Sequence, residues 1–273
     1  MTKLVFVDMD GTFLSPDKTI SRENLAILDE AAARDVQFVP CTGRNVTGVP
    51  RELAEHPCVR YAICCNGALV YDVRANEVLR EVAIERELVR SLYEDVRALD
   101  ITFDLFADGT VYAAADRWHV LDKMAIDPAS LKQVKSVRTR CDEPVDKLIE
   151  RVGSICRINV FYLDGAGAQG VWDAVDARPE LIRSSSLPCN VEITRAEAHK
   201  GAGLRWLCER LGVDVSDTVA FGDSDNDLTM LREAGDGVAM GNACDEALNA
   251  ADYVTASVDD DGIAKALAHL GVI

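Results

Sequence analysis

The sequence predicts an α/β protein with a parallel-sheet core and an inserted α+β domain. At both ends of the chain, short apolar segments alternate with helical ones, a pattern typical of a parallel sheet. Between about residues 82 and 191, the strands instead alternate polar and apolar residues, which indicates an antiparallel sheet with one solvated face. We therefore expect the outer thirds of the chain to form one domain that the middle third interrupts.

The first part of the core begins with the apolar strand LVFV at residues 4–7, which ends at Asp8. A helix is predicted from about Ser21 to Arg34, followed by the strand VQFVPC, a helical VTGVPRELAE and the strand YAICCNG. The second and third strands also end in polar groups, at residues 42–44 and 66–67. Because ligands in open α/β sheets collect at the carboxyl ends of the strands, these ends are candidate site positions.

The inserted segment carries the predicted strands TFDLF, TVYAA, CRINVFY and NVEIT. Its helix ELVRSLYEDVRAL has apolar residues on one face, namely Leu88, Leu92, Val96 and Leu99. The core pattern resumes with the helix HKGAGLRWLCERLG, which Gly212 is placed to end, and with the buried strand TVAFGD. The predicted boundaries are 1–81 for the first part of the core, 82–191 for the insert and 192–273 for the second part.

Composition restricts the possible partners of this chain. The 273 residues are 48% hydrophobic and 27% charged, which is enough to bury a sizeable core. With 46 acidic and 29 basic residues the net charge is −17. Nucleic acid and anionic membrane surfaces repel such a protein, so we expect neither as a partner. An anionic substrate would need a metal ion or a local cationic pocket.

The cysteine content and the lengths of the apolar runs predict where in the cell the protein is located. The chain has nine cysteines, an odd number, with no C-x-x-C pair, and no apolar signal region at its N-terminus. These features fit a reducing cytoplasm better than a disulfide framework. The longest apolar runs are too short to span a bilayer. We expect a cytoplasmic monomer or weak homo-oligomer.

Acidic residues at two strand ends predict a metal site. Asp8 and Asp10 leave the end of the first strand on the same side, and Gly11 lets the chain turn directly afterwards. The segment GDSDND at 222–227 ends another buried strand and brings Asp223 to the same sheet edge. Three converging carboxylates repel one another unless a cation lies between them, and Mg²⁺ prefers such oxygen ligands. We expect Mg²⁺ as the cofactor.

The same sheet edge offers groups suited to a phosphate. Thr42 provides a hydroxyl, and Gly43 provides a backbone amide that no side chain obstructs. Lys200 provides an ammonium near the start of a helix, whose free amides favour an anion. Together these residues outline a phosphate pocket beside a metal and a nucleophile.

These residues carry a resemblance to a known family. DMDGT at 8–12, CTGR at 41–44, Lys200 and GDSDND at 222–227 resemble, in order and context, the four motifs of the haloacid dehalogenase superfamily of phosphatases. Three further segments resemble its Cof-like branch, which inserts a type IIB cap between the second and third motifs: NGA at 66–68, AMGNA at 239–243 and DDDGI at 259–263. The resemblance covers the full chain and implies a Rossmann-like parallel sheet with an inserted α+β cap domain.

The resemblance implies a Mg²⁺-dependent phosphohydrolase that acts through an aspartyl-phosphate. Asp8 would attack phosphorus in line. Asp10 would protonate the leaving oxygen and later deprotonate the hydrolytic water. Asp8 and Asp223 would bind Mg²⁺ through their carboxylates, and Asp10 would bind it through its backbone carbonyl.

The remaining motif residues would hold the phosphate or support the site. Thr42, Gly43 and Lys200 would contact the transferring oxygens, with Asn226 as a further phosphate contact. Asp227 would orient Lys200 or a metal-bound water without binding the metal itself. Arg44 is either a substrate contact or a residue that caps the following helix.

The expected substrates are small phosphate monoesters, in particular sugar phosphates. The insert is long enough for a folded lid, which would enclose a small ester and leave little room for a polymer. Polar residues that could contact sugar hydroxyls are Arg44, Asn66, Asn190 and Glu192.

Two other functions remain open from the sequence. A phosphomutase of the phosphomannomutase type shares the aspartyl-phosphate and the position of the cap. A non-catalytic binding protein could be built on the same fold, although every motif residue of an active enzyme is present.

Overall fold

The computed structural model describes residues 3–273, which divide into two compact units. One unit comprises the chain up to Glu81 together with Ala198–Ile273, and the other is the inserted segment Val82–Glu197. Among the described residues, no helix combines the length and the apolar character needed to cross a membrane.

The first core segment begins with the predicted strand and helix. Its elements are β1 (Leu4–Asp8), α1 (Arg22–Ala33), β2 (Gln37–Cys41), α2 (Arg51–Ala54), β3 (Tyr61–Cys64), β4 (Leu69–Asp72) and β5 (Glu77–Glu81). Helix α1 begins after Ser21, whose hydroxyl accepts a hydrogen bond from the backbone N–H of Asn24. This cap satisfies one of the free amides of the first turn.

The segment VTGVPRELAE is not one helix, contrary to the sequence prediction. It forms a 3₁₀ turn at Val46–Gly48 and the short helix α2, with extended backbone at Val49 between them. Pro50 explains the break, because a proline disfavours helical backbone in the residue before it and fits the position before a first helical turn.

The inserted unit contains its own sheet and helices. Its elements are α3 (Arg86–Val96), β6 (Asp104–Ala107), β7 (Thr110–Ala114), α4 (Trp118–Lys123), α5 (Pro128–Ser136), β8 (Arg138–Cys141), α6 (Val145–Arg151), β9 (Ile155–Phe161), α7 (Gly165–Asp176), β10 (Leu181–Ser184) and β11 (Asn190–Arg195). Strand β11 continues the sheet beyond residue 191, so the unit ends at Glu197 and not at the boundary that the sequence indicated.

The second core segment completes the first unit. Its elements are α8 (Lys200–Leu211), β12 (Thr218–Gly222), α9 (Leu228–Glu233), β13 (Asp236–Ala239), α10 (Asp245–Ala250), β14 (Tyr253–Val254) and α11 (Gly262–His269). Helix α8 ends at Gly212, which has the left-handed backbone expected of a helix-ending glycine.

Within residues 3–273, the core strands form an eight-stranded sheet in the order β14-β13-β12-β1-β2-β3-β4-β5. Strands β14 to β3 are parallel, and β4 and β5 add an antiparallel hairpin at one edge. Strand β1 is buried throughout, with Val5 and Val7 in one apolar cluster and Leu4 and Phe6 in another. Helices α1 and α11 contribute to the first cluster and α8 to the second, so both sheet faces are covered, as the α/β prediction requires.

The described strands of the inserted unit form a six-stranded sheet in the order β10-β11-β9-β6-β7-β8, antiparallel except for the pair β7 and β8. The sequence predicted one solvated face, but the alternating polar residues of β9 and its neighbours are buried. Arg157 pairs with Glu192 at 2.9 Å, and Arg138 pairs with Asp104 at 2.8 Å. These polar residues tolerate burial because opposite charges and hydrogen bonds compensate them.

Candidate active site

The parallel pairing of the central strands places the predicted site residues at one sheet edge. Strand β1 lies between β2 and β12, with Leu4 opposite both Gln37 and Thr218. The chain therefore leaves these strands on the same side, through Asp8, Thr42 and Asp223. Residues separated by more than two hundred positions meet there.

The turn after Asp8 depends on Gly11. This glycine has φ +91°, a conformation that other residues rarely adopt. A Cβ atom on Gly11 would lie 2.6 Å from the Oδ2 atom of Asp223. The next residue, Thr12, donates its hydroxyl to Asp223 Oδ1 at 2.8 Å. Gly11 thus permits the close approach of the turn to Asp223, and Thr12 stabilises it.

Lys200 is fully buried at the first position of α8. The His199 side chain precedes it as the N-terminal cap and accepts the backbone N–H of Ala202 at 3.1 Å. The Lys200 ammonium donates to Asp8 Oδ1 and to Asp227 Oδ1, both at 2.6 Å. Burial disfavours the ammonium charge, but Asp227 and Asp8 outweigh this effect and raise the pKa of Lys200. Lys200 is therefore a charged bridge between two carboxylates.

Asp227 orients Lys200 and the turn that contains Asp223. Its Oδ2 atom accepts the backbone N–H groups of Asp223 at 3.0 Å and Ser224 at 3.1 Å, while Oδ1 accepts from Lys200. Both oxygens of this buried carboxylate are engaged by protein donors. This arrangement suits the supporting role predicted for Asp227.

The carboxylates of Asp8, Asp223 and Asp227 form a cluster whose ligand atoms lie within 4.8 Å of one another. Burial raises the pKa of Asp8 well above its ordinary value, and Asp227 and Asp223 raise it further against the lowering effect of Lys200. Burial and the Asp227 charge raise the pKa of Asp223 to about 6. One ammonium cannot neutralise three carboxylates. The cluster therefore has the oxygen donors that a divalent cation prefers and the excess negative charge that such a cation would balance.

Asp10 lies in a different electrostatic environment. Arg44 donates to it twice, from Nε to Oδ2 at 2.9 Å and from Nη2 to Oδ1 at 2.5 Å, and Lys18 donates to Oδ1 at 2.9 Å. Burial alone would raise the pKa of Asp10, but the charges and hydrogen bonds of Arg44 and Lys18 lower it below its ordinary value. Asp10 is therefore held as a carboxylate.

The predicted phosphate residues lie on neighbouring turns. The backbone N–H of Arg44 donates to the Thr42 hydroxyl oxygen at 3.1 Å, so that oxygen is fixed at the start of the 42–44 turn. Asn226 donates its Nδ2 amide to Asn66 Oδ1 at 3.2 Å, which joins the turn after β3 to the turn after β12. The proposed sugar contacts Asn190 and Glu192 belong instead to the inserted unit, where both are buried and hydrogen-bonded to each other.

Two residues without a predicted role support the turn after β1. Thr12 bonds to Asp223, as described above. Asn242 donates to the backbone carbonyl of Gly11 at 2.8 Å and accepts the backbone N–H of Val258 at 2.8 Å. Both lie in motifs that the sequence made visible, DMDGT and AMGNA, but the contacts depend on pairing across the fold.

Comparison with known proteins identifies relatives along the whole chain. A family model described as haloacid dehalogenase-like hydrolase matches residues 5–267. The YxeH protein of Bacillus subtilis is 33% identical over 99% of this chain and 98% of its own length. The 5-amino-6-(5-phospho-D-ribitylamino)uracil phosphatase YcsE, also from Bacillus subtilis, is 30% identical over 98% of this chain and 95% of its own length.

A solved structure gives the same relationship in three dimensions. It is that of a phosphatase of the haloalkanoate enzyme superfamily from Bacteroides thetaiotaomicron, with 28% identity and a TM-score of 0.81. The match covers 100% of this chain and 96% of the other. The similarity therefore includes both the core and the inserted unit.

Proposed function

Because this chain belongs to the haloacid dehalogenase-like hydrolases and is a phosphoric monoester hydrolase of the Cof-like type, we propose that it hydrolyses small phosphate monoesters through an aspartyl-phosphate on Asp8. One observation carries this proposal: the buried Lys200 ammonium holds Asp8 and Asp227 beside Asp223. Such a cluster fixes one carboxylate oxygen of Asp8 and leaves the other for attack.

In the proposed first step, a carboxylate oxygen of Asp8 bonds to phosphorus while the ester P–O bond breaks. Lys200 binds Asp8 Oδ1, so Oδ2 is the oxygen that we assign to the attack. Lys200 also balances charge as the anionic phosphate approaches. In the second step, water oxygen bonds to phosphorus, the Asp8–phosphorus bond breaks, and inorganic phosphate leaves.

Asp10 serves as the acid and then the base in this proposal. It gives a proton to the leaving oxygen in the first step and takes one from water in the second. The contacts with Arg44 and Lys18 favour the ionised form, which suits the base step. For the acid step, Asp10 must loosen these contacts and carry a proton. The strength of the contact between Arg44 and Asp10 therefore affects the rate at which the leaving group departs.

Thr42, Gly43 and Asn226 are assigned to the transferring phosphoryl oxygens. Thr42 and Gly43 follow β2, and Asn226 lies in the 3₁₀ turn Asp225–Asp227 after β12. Lys200 contributes its charge through its contact with Asp8 Oδ1. Hydrogen bonds of this kind stabilise the charge that spreads over the phosphoryl oxygens in the transition state.

The cofactor in this proposal is Mg²⁺, held by the carboxylates of Asp8 and Asp223 and by the backbone carbonyl of Asp10. When bound, the ion neutralises the nucleophile toward an anionic substrate and stabilises charge on the phosphoryl group. The support is the donor set itself, since hard carboxylate oxygens with an uncompensated negative charge suit a hard divalent cation.

Sugar phosphates and related polyol phosphates are the proposed substrates. A net charge of −17 disfavours polyanionic substrates such as nucleic acid. The relative YcsE is named for a phosphate ester of a ribityl chain, which is a small polyol phosphate. The free cysteines of the described chain accord with a reducing, cytoplasmic location for such a metabolic enzyme.

A trapping experiment tests the covalent step. The protein is mixed with a phosphate ester and Mg²⁺, quenched in acid, reduced with borohydride and mapped by mass spectrometry. An acyl phosphate at Asp8 is reduced to an alcohol, so the peptide containing residue 8 should change mass. Asp8→Asn should show neither this change nor appreciable turnover, whereas Asp17→Asn, in an exposed loop, should behave as the wild type. Full turnover by Asp8→Asn would refute the covalent mechanism.

A second assay tests the substrate class. Phosphate release is measured over sugar phosphates, nucleotides, cofactor phosphates and phosphopeptides, with substrate loss followed in parallel. Equal amounts of phosphate released and ester consumed indicate hydrolysis, while isomerised ester without phosphate indicates a mutase. A phosphopeptide or nucleic-acid end with a kcat/KM about tenfold above every sugar phosphate would overturn the proposed class.

A further inference from the structure

The turn after β3 has an unusual backbone beside the candidate site. Cys65, Asn66 and Gly67 all have positive φ angles, of 51°, 55° and 99°. Gly67 passes so close to the start of α8 that a Cβ atom on it would overlap the carbonyl oxygen of His199. Consecutive left-handed residues other than glycine are costly and persist where surrounding contacts enforce them. The structure therefore maintains this turn in a specific conformation.

Asn66 connects both predicted phosphate-binding turns. Its backbone N–H donates to the carbonyl of Thr42 at 3.0 Å, and its side-chain Oδ1 accepts the Nδ2 amide of Asn226 at 3.2 Å. The preceding N–H, of Cys65, donates to the carbonyl of Arg44 at 2.9 Å. Asn66 itself is only 4% exposed.

We propose that Asn66 is a positioning residue that aligns Thr42 and Asn226 for phosphate binding. It acts through those two residues, and this replaces the direct sugar contact that the sequence suggested. The inference rests on the proposed function, because it assumes that Thr42 and Asn226 bind phosphate. Alignment matters because a small displacement of phosphate-binding groups weakens several hydrogen bonds together.

The residue type fits this role in two ways. Asparagine enters the left-handed region more readily than most residues other than glycine, so it tolerates φ 55°. Its neutral Oδ1 atom accepts the Asn226 amide without placing a negative charge next to an anion. Aspartate would also tolerate the backbone but would repel phosphate.

Substitutions separate the backbone of Asn66 from its side chain. Asn66→Gly keeps the left-handed turn and removes the side chain, and with it the hydrogen bond to Asn226. Asn66→Ala removes the hydrogen bond and strains the backbone, so it should be the less stable variant. Asn76→Gly is a matched control, because Asn76 also has a positive φ (56°) and also accepts a side-chain hydrogen bond, from the Tyr71 hydroxyl, in the β4–β5 turn.

The readout is the affinity for inorganic phosphate, measured by calorimetry with Mg²⁺ present and independent of turnover. We expect Asn66→Gly to weaken binding about tenfold with little change in melting temperature, and Asn76→Gly to leave binding unchanged. Asn226→Ala should weaken binding by a similar factor. The phosphate affinity of the double variant Asn66→Gly/Asn226→Ala should be within about twofold of that of the single variant that binds phosphate more weakly, because the two residues act as one unit.

Two outcomes would overturn the positioning role: unchanged phosphate affinity in Asn66→Gly, or fully multiplicative effects in the double variant. Aspartate provides another check, since Asn66→Asp should fold normally yet bind phosphate more weakly than Asn66→Gly. Wild-type protein that binds phosphate but hydrolyses no ester would refute the proposed hydrolysis and still test Asn66. Wild-type protein that hydrolyses esters but binds no phosphate would overturn the positioning role and leave the proposed hydrolysis standing.

Discussion

The guanidinium of Arg44 holds the carboxylate of Asp10 through two hydrogen bonds, Nε to Oδ2 at 2.9 Å and Nη2 to Oδ1 at 2.5 Å. A third nitrogen, Nη1, donates to the carbonyl of Gly48 at 2.9 Å. The guanidinium is thus bound on one side to Asp10 and on another to the Gly48 carbonyl, and it fixes the direction of the Asp10 side chain. The planar fork of arginine makes this arrangement specific in a way that one ammonium cannot.

The first prediction is that Arg44→Lys lowers kcat for sugar phosphates about tenfold, because lysine keeps the charge but cannot hold both Asp10 oxygens in the direction needed to take a proton from water. Lys18→Gln is the matched control, since Lys18 contacts the same carboxylate through a single, partly exposed ion pair. Its effect should stay under about threefold. Steady-state kinetics on both variants decide the matter, and equal effects would mean that Arg44 contributes charge alone.

A second prediction concerns Asp10→Asn. This variant cannot supply a proton, so turnover of alkyl phosphates should fall by at least about a hundredfold. Esters with good leaving groups, such as p-nitrophenyl phosphate, need no proton and should recover much of the phosphoryl-transfer rate in a burst assay. Equal losses for both classes of ester would remove the general-acid role from Asp10.

Local patterns in the sequence predicted much of the core. The run LVFV, the helix start near Ser21 and the helix-ending Gly212 are short-range signals, and the structure has β1, α1 and α8 at those places. The acids at two strand ends predicted that Asp8 and Asp223 lie at one sheet edge although they are far apart in the chain. Parallel pairing of β1 with β12 brings their carboxylates together.

Other features depended on contacts that no local pattern reveals. The alternating strands of the insert indicated a solvated face, but Arg157 and Glu192 are buried because they neutralise each other across β9 and β11. Likewise, the motifs indicated that Asp227 could orient Lys200 but not that the same ammonium also binds Asp8. A charged side chain can be buried when a residue far away in the sequence compensates its charge. The alternation of polar and apolar residues along one strand does not reveal such a partner.

The third prediction is that Lys200→Met destabilises the protein by about 3–5 kcal/mol at pH 7.5 without metal, because it leaves Asp8 and Asp227 buried and uncompensated. Lys3→Gln is the control, since the Lys3 pair with Asp217 lies at the protein surface and should change the free energy of unfolding little. Urea unfolding measures both free energies. A loss as small as that of Lys3→Gln would show that the site tolerates the two charges without Lys200.

The fourth prediction links metal, pH and stability through Asp223. Its pKa of about 6 in the folded chain lies above the ordinary value of 3.8, so folding favours the protonated form. This stabilisation is fully present below the ordinary value and is lost as the pH rises through about 6. Between pH 5 and 7.5 the melting temperature of the metal-free wild type should therefore fall relative to that of Asp223→Asn, a comparison that removes the opposite contribution of His199, whose pKa burial lowers. Asp8, whose pKa is also raised, should act in the same direction.

Asp223→Asn distinguishes the destabilising effect of the buried Asp223 charge from the role of this residue as a metal ligand. In EDTA at pH 7.5 the variant should melt at least about 2 °C above the wild type, because it no longer buries an uncompensated carboxylate. Added Mg²⁺ should stabilise the wild type and restore its activity, while the variant should gain neither, since it lacks the second carboxylate ligand. Protons should compete with the ion, so the apparent Mg²⁺ affinity of the wild type should weaken below about pH 6. Equal Mg²⁺ stabilisation of Asp223→Asn and wild type would place the ion elsewhere, and full activity after exhaustive chelation would refute the metal requirement.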